Sequence, residues 1–230
     1  MNRQDFTLLT VTFNNNVLTG IMIKSFVKQV GICPNVVIVD NGTTIPADAM
    51  MKRVFTVVDN FNHKLLPDER QPSRNHCAAI DYALSNCIHT KWCLLVDNDI
   101  LFKPEMKDLI KSVDETKYDA YGEVGWDCTP PDRLYPYMCI FNVDKLRSEG
   151  IKYFDRNRTI KYKTLASDGS VLFTDEQYNQ MDTGYSFYED IKATWRINKF
   201  PLNNVCIHLK SGMLANKPVE AWLMQNKQLF

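Results

Sequence analysis

The sequence has no excess of charge of either sign, with 27 Lys+Arg against 27 Asp+Glu in 230 residues. That removes the general electrostatic footprint of a protein that grips nucleic acid by its phosphates. No apolar run approaches the roughly 20 residues that span a bilayer. Met1 to Phe6 has no apolar stretch of the kind a secretory leader needs. There is no internal repeat and no low-complexity segment. The cysteines (Cys33, Cys77, Cys87, Cys93, Cys128, Cys139 and Cys206) are odd in number and include no C-x-x-C pair, which excludes zinc-ribbon and thioredoxin patterns. Several lie in apolar runs, where a reduced cysteine behaves as a small hydrophobe. Together these absences predict a reduced, soluble, cytoplasmic protein without an integral membrane segment.

What is present is ordinary globular composition: 45% hydrophobic and 23% charged residues, in a chain long enough to bury a core without staples. Thr7 to Phe13 reads as a buried strand running into Asn14-Asn15-Asn16, and Val17 to Val30 has helical apolar spacing stopped by Gly31. Val36 to Val39 is a second strand ending at Asp40-Asn41-Gly42, and Val54 to Val58 a third. Arg74 to Cys87 reads as a helix with Ser73 as its N-cap. Trp92 to Val96 is a fourth strand ending at Asp97-Asn98-Asp99, and Pro104 to Val113 another helix with Pro in its first turn. Alternating strands and helices predict an α/β fold with a mostly parallel sheet flanked by helices. Past residue 118 the pattern loosens: Pro130, Pro131 and Pro136 mark loops, and a helix is expected over Glu189 to Asn198. The chain reads as one domain over 1–230, with a regular half, 1–115, and a smaller elaborated half, 116–230.

Ligands of open α/β sheets bind outside the carboxyl ends of the strands. Two apolar strands end there in acids, at Asp40 and at Asp97. Asp40 alone reads equally as a turn former. Asp97 and Asp99 are two residues apart, so in extended chain they share a face and converge on one cation with oxygen ligands suited to Mg²⁺ or Mn²⁺. Such an ion neutralises the charge of a departing diphosphate.

These residues resemble a family. L-L-T-V-T-F-N-N (Leu8 to Asn15), V-V-I-V-D-N-G-T (Val36 to Thr43), Ser73-Arg74-Asn75 and L-L-V-D-N-D-I (Leu94 to Ile100) are similar, in order and approximate spacing, to the blocks of family 2-type glycosyltransferases with the GT-A fold. D-T-G-Y-S-F-Y-E-D-I-K-A-T-W-R (Asp182 to Arg196) resembles the segment that carries the family's Glu-Asp pair, and Ile207-His208 its late histidine. The resemblance implies a GT-A, Rossmann-like sheet whose 1–115 half binds a nucleoside-diphosphate sugar and whose 116–230 half binds the acceptor. It implies that Thr12 and Phe13 lie at the nucleotide, Phe13 against the base where the family usually has Tyr. It places Asp40 or Asn41 on the base or ribose, Arg74 near base or phosphates, and Asp97 near the ribose or the metal. Asp99 would bind the metal directly, with His208 completing its shell, and Mn²⁺ is expected ahead of Mg²⁺. Asp190 would be the general base for an unknown acceptor hydroxyl (glycan, protein, small molecule or modified nucleic-acid base), with inversion at the sugar carbon. Cys77 stands where the family commonly has Gly, and Asn41 where it often has a second acid.

Other readings stay open on the sequence alone. Glu189 and Asp190 suit the N-terminal dipole of the helix expected to follow. His208 reads equally as a satisfied strand histidine, and Phe13 as core. His63, His76 and His89 read as surface or cap residues, and Trp92, Trp126, Trp195 and Trp222 as core, with Trp126 a candidate sugar contact. Arg133, Tyr135 and Tyr137 read as a Pro-rich loop lining an acceptor cleft or packing on the surface, and Lys210 and Lys217 as diphosphate-steering or solvated cations. A nucleotidyltransferase would share acids and sheet, but Asn14-Asn15-Asn16-Val17 lacks the Gly-rich basic loop that receives a triphosphate. A non-catalytic nucleotide- or carbohydrate-binding module is the third alternative.

Overall fold

A computed structural model describes residues 5–13, 15–32, 35–42, 54–58, 72–125, 133–153, 164–165, 171–173, 183–209 and 219–230. Its strands are β1 (Phe6–Thr12), β2 (Val36–Asp40), β3 (Thr56–Val58), β4 (Trp92–Asp97), β5 (Ile100–Phe102), β6 (Ala120–Gly125), β7 (Arg133–Asn142), β8 (Thr164–Leu165), β9 (Val171–Phe173), β10 (Ile197–Lys199) and β11 (Cys206–His208). The described helices are α1 (Asn16–Gln29), α2 (Pro72–Asn86), α3 (Met106–Ser112), α4 (Val143–Ser148), α5 (Tyr185–Ile191) and α6 (Val219–Gln225). None of them is long and apolar enough to cross a membrane. Cys77, Cys93, Cys139 and Cys206 are buried and Cys87 is half-buried.

Seven strands form one sheet in the order β10-β6-β7-β4-β1-β2-β3. β1 runs parallel to β2 and β4, β2 parallel to β3, and β10 parallel to β6; β7 alone runs against its neighbours β4 and β6. The expected mostly parallel α/β sheet is therefore found. It takes strands from both halves of the chain, and β10 closes the edge opposite β3.

Alternation along the strands divides the core in two, as side chains two apart share a face. Leu9, Val37, Val39, Cys93 and Leu95 meet α2, α4 and α5 through Ile80, Ala83, Leu146, Phe187 and Ile191. Phe6, Leu8, Ile38, Leu94 and Val96 meet α1 and α3 through Met22, Phe26, Met106 and Ile110. Both faces are covered, so the central strands read as continuous apolar runs. Phe26 anchors the second cluster edge-on to Phe6 and Phe102, with centroids 6.1 and 5.1 Å away.

The structure departs from the sequence reading in three places. Arg133, Tyr135 and Tyr137 belong to strand β7 and not to a loop. Pro136 is accommodated because pairing to β4 ends at Val96↔Met138 and pairing to β6 shifts register between Gly122 and Val124; a bulge tolerates a residue with no N–H. The helix expected over Glu189 to Asn198 ends at Ile191, and Ile197–Lys199 is the edge strand β10. Glu189 and Asp190 thus occupy the last turn of α5, where the dipole disfavours acids, so the helix-start reading of this pair fails. Finally, α2 starts at Pro72, so Ser73 lies inside it; Pro is pre-shaped for a first helical position.

Candidate functional site

The strand order reverses direction beside β1. From β1 the chain moves outward to β2 and β3, then returns to place β4 on the other side of β1. A crevice opens at such a switch point, beyond the carboxyl ends of the strands. Register sets what lines it: Thr12 is level with Asp40 across β1–β2, and Val11 with Asp97 across β1–β4.

The turn after β4 is tied to β1. Asn98 Nδ2 donates to Thr12 Oγ1 at 2.9 Å, and Thr19 Oγ1, from the first turns of α1, donates to the same hydroxyl at 3.1 Å. Thr12 is only 1% exposed, so its hydroxyl serves to hold Asp97-Asn98-Asp99 in place. The chain then continues as β5, which pairs antiparallel with β11 and sets His208 opposite Ile100. Leu209 N donates to Asp99 O at 2.9 Å and closes the arrangement. A residue a hundred positions downstream is thereby fixed beside the turn. His208 Nε2 lies 3.1 Å from Asp99 Oδ1 and 4.0 Å from Asp97 Oδ2.

One ligand atom from each of Asp97, Asp99 and His208 lies within 4.8 Å of the other two. Asp99 is buried and the other two half-buried. Two carboxylate oxygens and an imidazole nitrogen are a donor set suited to Mn²⁺ and related divalent ions. Two carboxylates held this close, one of them buried, repel unless a cation or protons intervene. Asp97 shows it: burial pushes its carboxyl up and Asp99 adds to that, while His76, His208 and Arg133 pull it down.

The sequence reads His76 as a surface or cap residue; the structure gives it neither role. It is half-buried on α2, with Nε2 3.8 Å from Asp97 Oδ1 and without a hydrogen-bond partner among the described residues. Its neighbourhood to Asp97 depends on where the first turns of α2 meet the sheet edge, which no local pattern displays. Arg133 is buried at the start of β7 and donates from Nη1 to Thr183 O at 3.3 Å, just ahead of α5.

The remaining candidates are placed as follows. Asp40 is buried and its Oδ1 accepts from Gly42 N at 2.7 Å, which is turn formation. Asn41 is also buried, and its N–H donates to Thr12 O at 2.8 Å. Phe13 reads in the sequence also as core; the residue is 64% exposed, directly after the end of β1. Arg74 is in the first turn of α2, and its side chain lies outside what is described. Asp190 is half-buried in α5 and is not a member of the Asp97–Asp99–His208 group. Trp92 and Trp195 are buried, Trp222 is half-buried and His89 is exposed. His63, Trp126, Lys210 and Lys217 lie outside the described residues.

No family model matches the chain, and no curated protein matches it. Solved structures do. A mannosyltransferase from Pyrobaculum calidifontis, in complex with GDP-Man and Mn²⁺, superposes with a TM-score of 0.59 over 99% of this chain and 62% of its own, at 15% identity. The glycosyltransferase GlyE of Streptococcus pneumoniae gives 0.53 over 86% of this chain and 45% of its own, at 9% identity. The galactosyltransferase LgtC, in complex with donor and acceptor sugar analogues, gives 0.52 over 85% of this chain and 73% of its own, at 9% identity. The chain spans less than two thirds of the first two. At these identities the likeness is one of fold, and the fold is the GT-A fold of glycosyltransferases.

Proposed function

We propose that the chain is a metal-dependent glycosyltransferase that moves a sugar from a nucleoside-diphosphate sugar to an acceptor hydroxyl with inversion. One observation carries the reading: Asp97, Asp99 and His208, remote in sequence, converge at the carboxyl edge of a GT-A sheet beside its switch point. The mannosyltransferase neighbour holds GDP-Man and Mn²⁺, which makes these the first donor and metal to try.

In this reading Asp99 and His208 hold a divalent cation, with Asp97 on the cation or the ribose. The ion, when bound, supplies positive charge against the diphosphate, and that charge matters most as the sugar–phosphate bond breaks. Phe13 offers an exposed aromatic face to the base. Asp40 and Asn41 line the wall beside it, the Asn41 backbone N–H donating to Thr12 O and one Asp40 carboxylate oxygen accepting from the turn. Arg74 serves the phosphates. Thr12 acts by fixing Asn98, not by touching the nucleotide. Asp190 accepts the proton of the acceptor hydroxyl as its oxygen bonds to the anomeric carbon and the diphosphate leaves from the opposite face. Regular 1–115 carries the donor and 116–230 the acceptor.

The test is direct. The protein is incubated with assorted nucleotide sugars and Mn²⁺, and released nucleoside diphosphate is measured. Asp99→Asn is expected to lower turnover on the order of 100-fold or more, the scale of losing a main electrostatic contact to the leaving group. Asp190→Asn is expected to abolish transfer while donor binding, followed by calorimetry, stays near wild type. Normal turnover by Asp190→Asn would remove it as the base, and absence of diphosphate release with every donor would sink the transferase reading.

A further inference from the structure

We infer that Tyr137 is a positioning residue for His208, holding the imidazole by ring stacking where a hydrogen bond ordinarily does so. The inference rests on the reading of Asp97, Asp99 and His208 as cation ligands.

A histidine that ligates a metal usually donates its second ring N–H to a carboxylate or carbonyl, and that bond fixes tautomer and ring plane. His208 lacks it: Nδ1 is buried and has no hydrogen-bond partner among the described residues. Imidazole torsions are broad, so the ring of a short strand's last residue needs some other restraint. Tyr137 supplies it. The two rings lie face to face with centroids 4.4 Å apart and planes 20° apart. Tyr137 in turn stacks on Tyr135 at 5.3 Å and 27°, and Tyr135 is only 8% exposed. The stack therefore begins in the core and ends on the candidate ligand.

The strand explains how Tyr137 comes to be there. In regular β chain neighbouring side chains point to opposite faces. Here Tyr137 and Met138 both pack on the same cluster, beside Tyr135. The register shift against β6 and the proline at 136 produce that displacement, and a bulge of this kind re-aims a side chain toward a site. The other ring is fixed through its backbone, by the His208–Ile100 pair and the Leu209 N to Asp99 O bond. With both backbones held, the stack leaves Nε2 aimed at Asp99. An imidazole that gives electron density to a cation is electron-poor, and the electron-rich face of a phenol favours that state over the free one.

The experiment is a Mn²⁺ titration of nucleotide-free protein, followed by the electron paramagnetic resonance signal of free ion, on wild type, Tyr137→Phe, Tyr137→Leu and Asp99→Asn. Tyr137→Phe keeps a flat ring and is expected to bind within about twofold of wild type, whereas Tyr137→Leu is expected to weaken binding roughly 10- to 100-fold, the range for losing a support behind a ligand. Far-ultraviolet circular dichroism and melting establish that each variant is folded; if Tyr137→Leu is not, Tyr137→Met replaces it. Wild-type affinity in a folded Leu or Met variant would overturn the inference. So would equal weakening by Phe and Leu, which would assign the effect to the hydroxyl. No Mn²⁺ binding by wild type, with Asp99→Asn indistinguishable from it, would instead overturn the cation reading on which the stack depends.

Discussion

Phe13 leaves most of its ring in water at the end of a strand whose other residues are nearly all buried. Removing an exposed side chain of this kind costs little stability, within about 0.5 kcal/mol. Removing a base-stacking platform costs about 1–3 kcal/mol of binding. Phe13→Ala is therefore expected to raise the donor KM roughly tenfold or more, with kcat and the melting temperature near wild type; steady-state kinetics and a melt check it. A large drop in melting temperature would return Phe13 to a packing role. At this scale the sequence displays Asp97 and Asp99 because two acids two residues apart at a strand end are local information, although Asp99 lies in the turn after β4 and not on the strand. It displayed His208 only through resemblance, since the contact with Asp99 is made by β5–β11 pairing across more than a hundred residues. It misplaced His76, whose ring reaches Asp97 through the packing of α2 on the sheet. Tyr135 and Tyr137 read in the sequence as loop beside Pro136, lining a cleft or packing on the surface, because the bulge that admits the proline is a property of two strands and not of one.

At the scale of elements, α5 is the least legible part of the candidate site. Phe187, Tyr188, Ile191 and Trp195 are all buried and follow helical spacing, which draws a sequence reading onward past residue 191. Past Ile191 the chain keeps one further turn, with Trp195 N donating to Ile191 O at 2.8 Å, and goes no further as helix because Ile197–Lys199 pair with β6 to complete the sheet edge. Its start is set by Gly184, whose φ of +84° is costly for any residue with a Cβ. A Cβ there would also meet Leu134 O and Tyr153 Oη, each at 3.0 Å. Gly184→Ala should destabilise the protein by about 2 kcal/mol from backbone strain, before any cost of the close contacts. Because α5 carries Asp190, the same variant should lower kcat more than donor KM. Urea unfolding measures the first effect and steady-state kinetics the second; wild-type values in both would mean that this turn does not set the helix.

The whole molecule depends on joining the late edge strand to the early sheet, and Asp119 is where that happens. Its Oδ2 accepts from Arg196 N at 2.9 Å and Arg196 Nε at 3.1 Å, and its Oδ1 from Arg196 Nη2 at 3.0 Å. Lys145, from α4, adds an ion pair at 3.0 Å, and Asp119 N donates to Arg196 O at 2.8 Å. Regular alternation in the first half announced the α/β class, because each of its elements buries a face by local periodicity. Nothing local announced this clasp, whose three side chains come from the approach to β6, from α4 and from the approach to β10. Burial alone would raise the Asp119 carboxyl, but the hydrogen bonds from Arg196 and Lys145 outweigh it and hold it at about 2. An unfolded aspartate titrates near 3.9. The unfolded chain therefore binds the extra proton between those values, so the clasp's contribution is complete above about pH 5 and is lost as pH falls toward 2. Asp119→Asn strips the charge and leaves Arg196 and Lys145 facing an amide; because Arg196 stays half exposed, this should cost about 1 to 2 kcal/mol at neutral pH, less than for a fully buried pair robbed of one partner. Urea midpoints measured from pH 7 to pH 2.5 check the sign: the gap between wild type and variant should be constant at the upper end and narrow below about pH 5. A gap that stayed constant throughout would mean that folding does not lower the Asp119 carboxyl, so that its ion pairs with Arg196 and Lys145 do not hold the sheet edge.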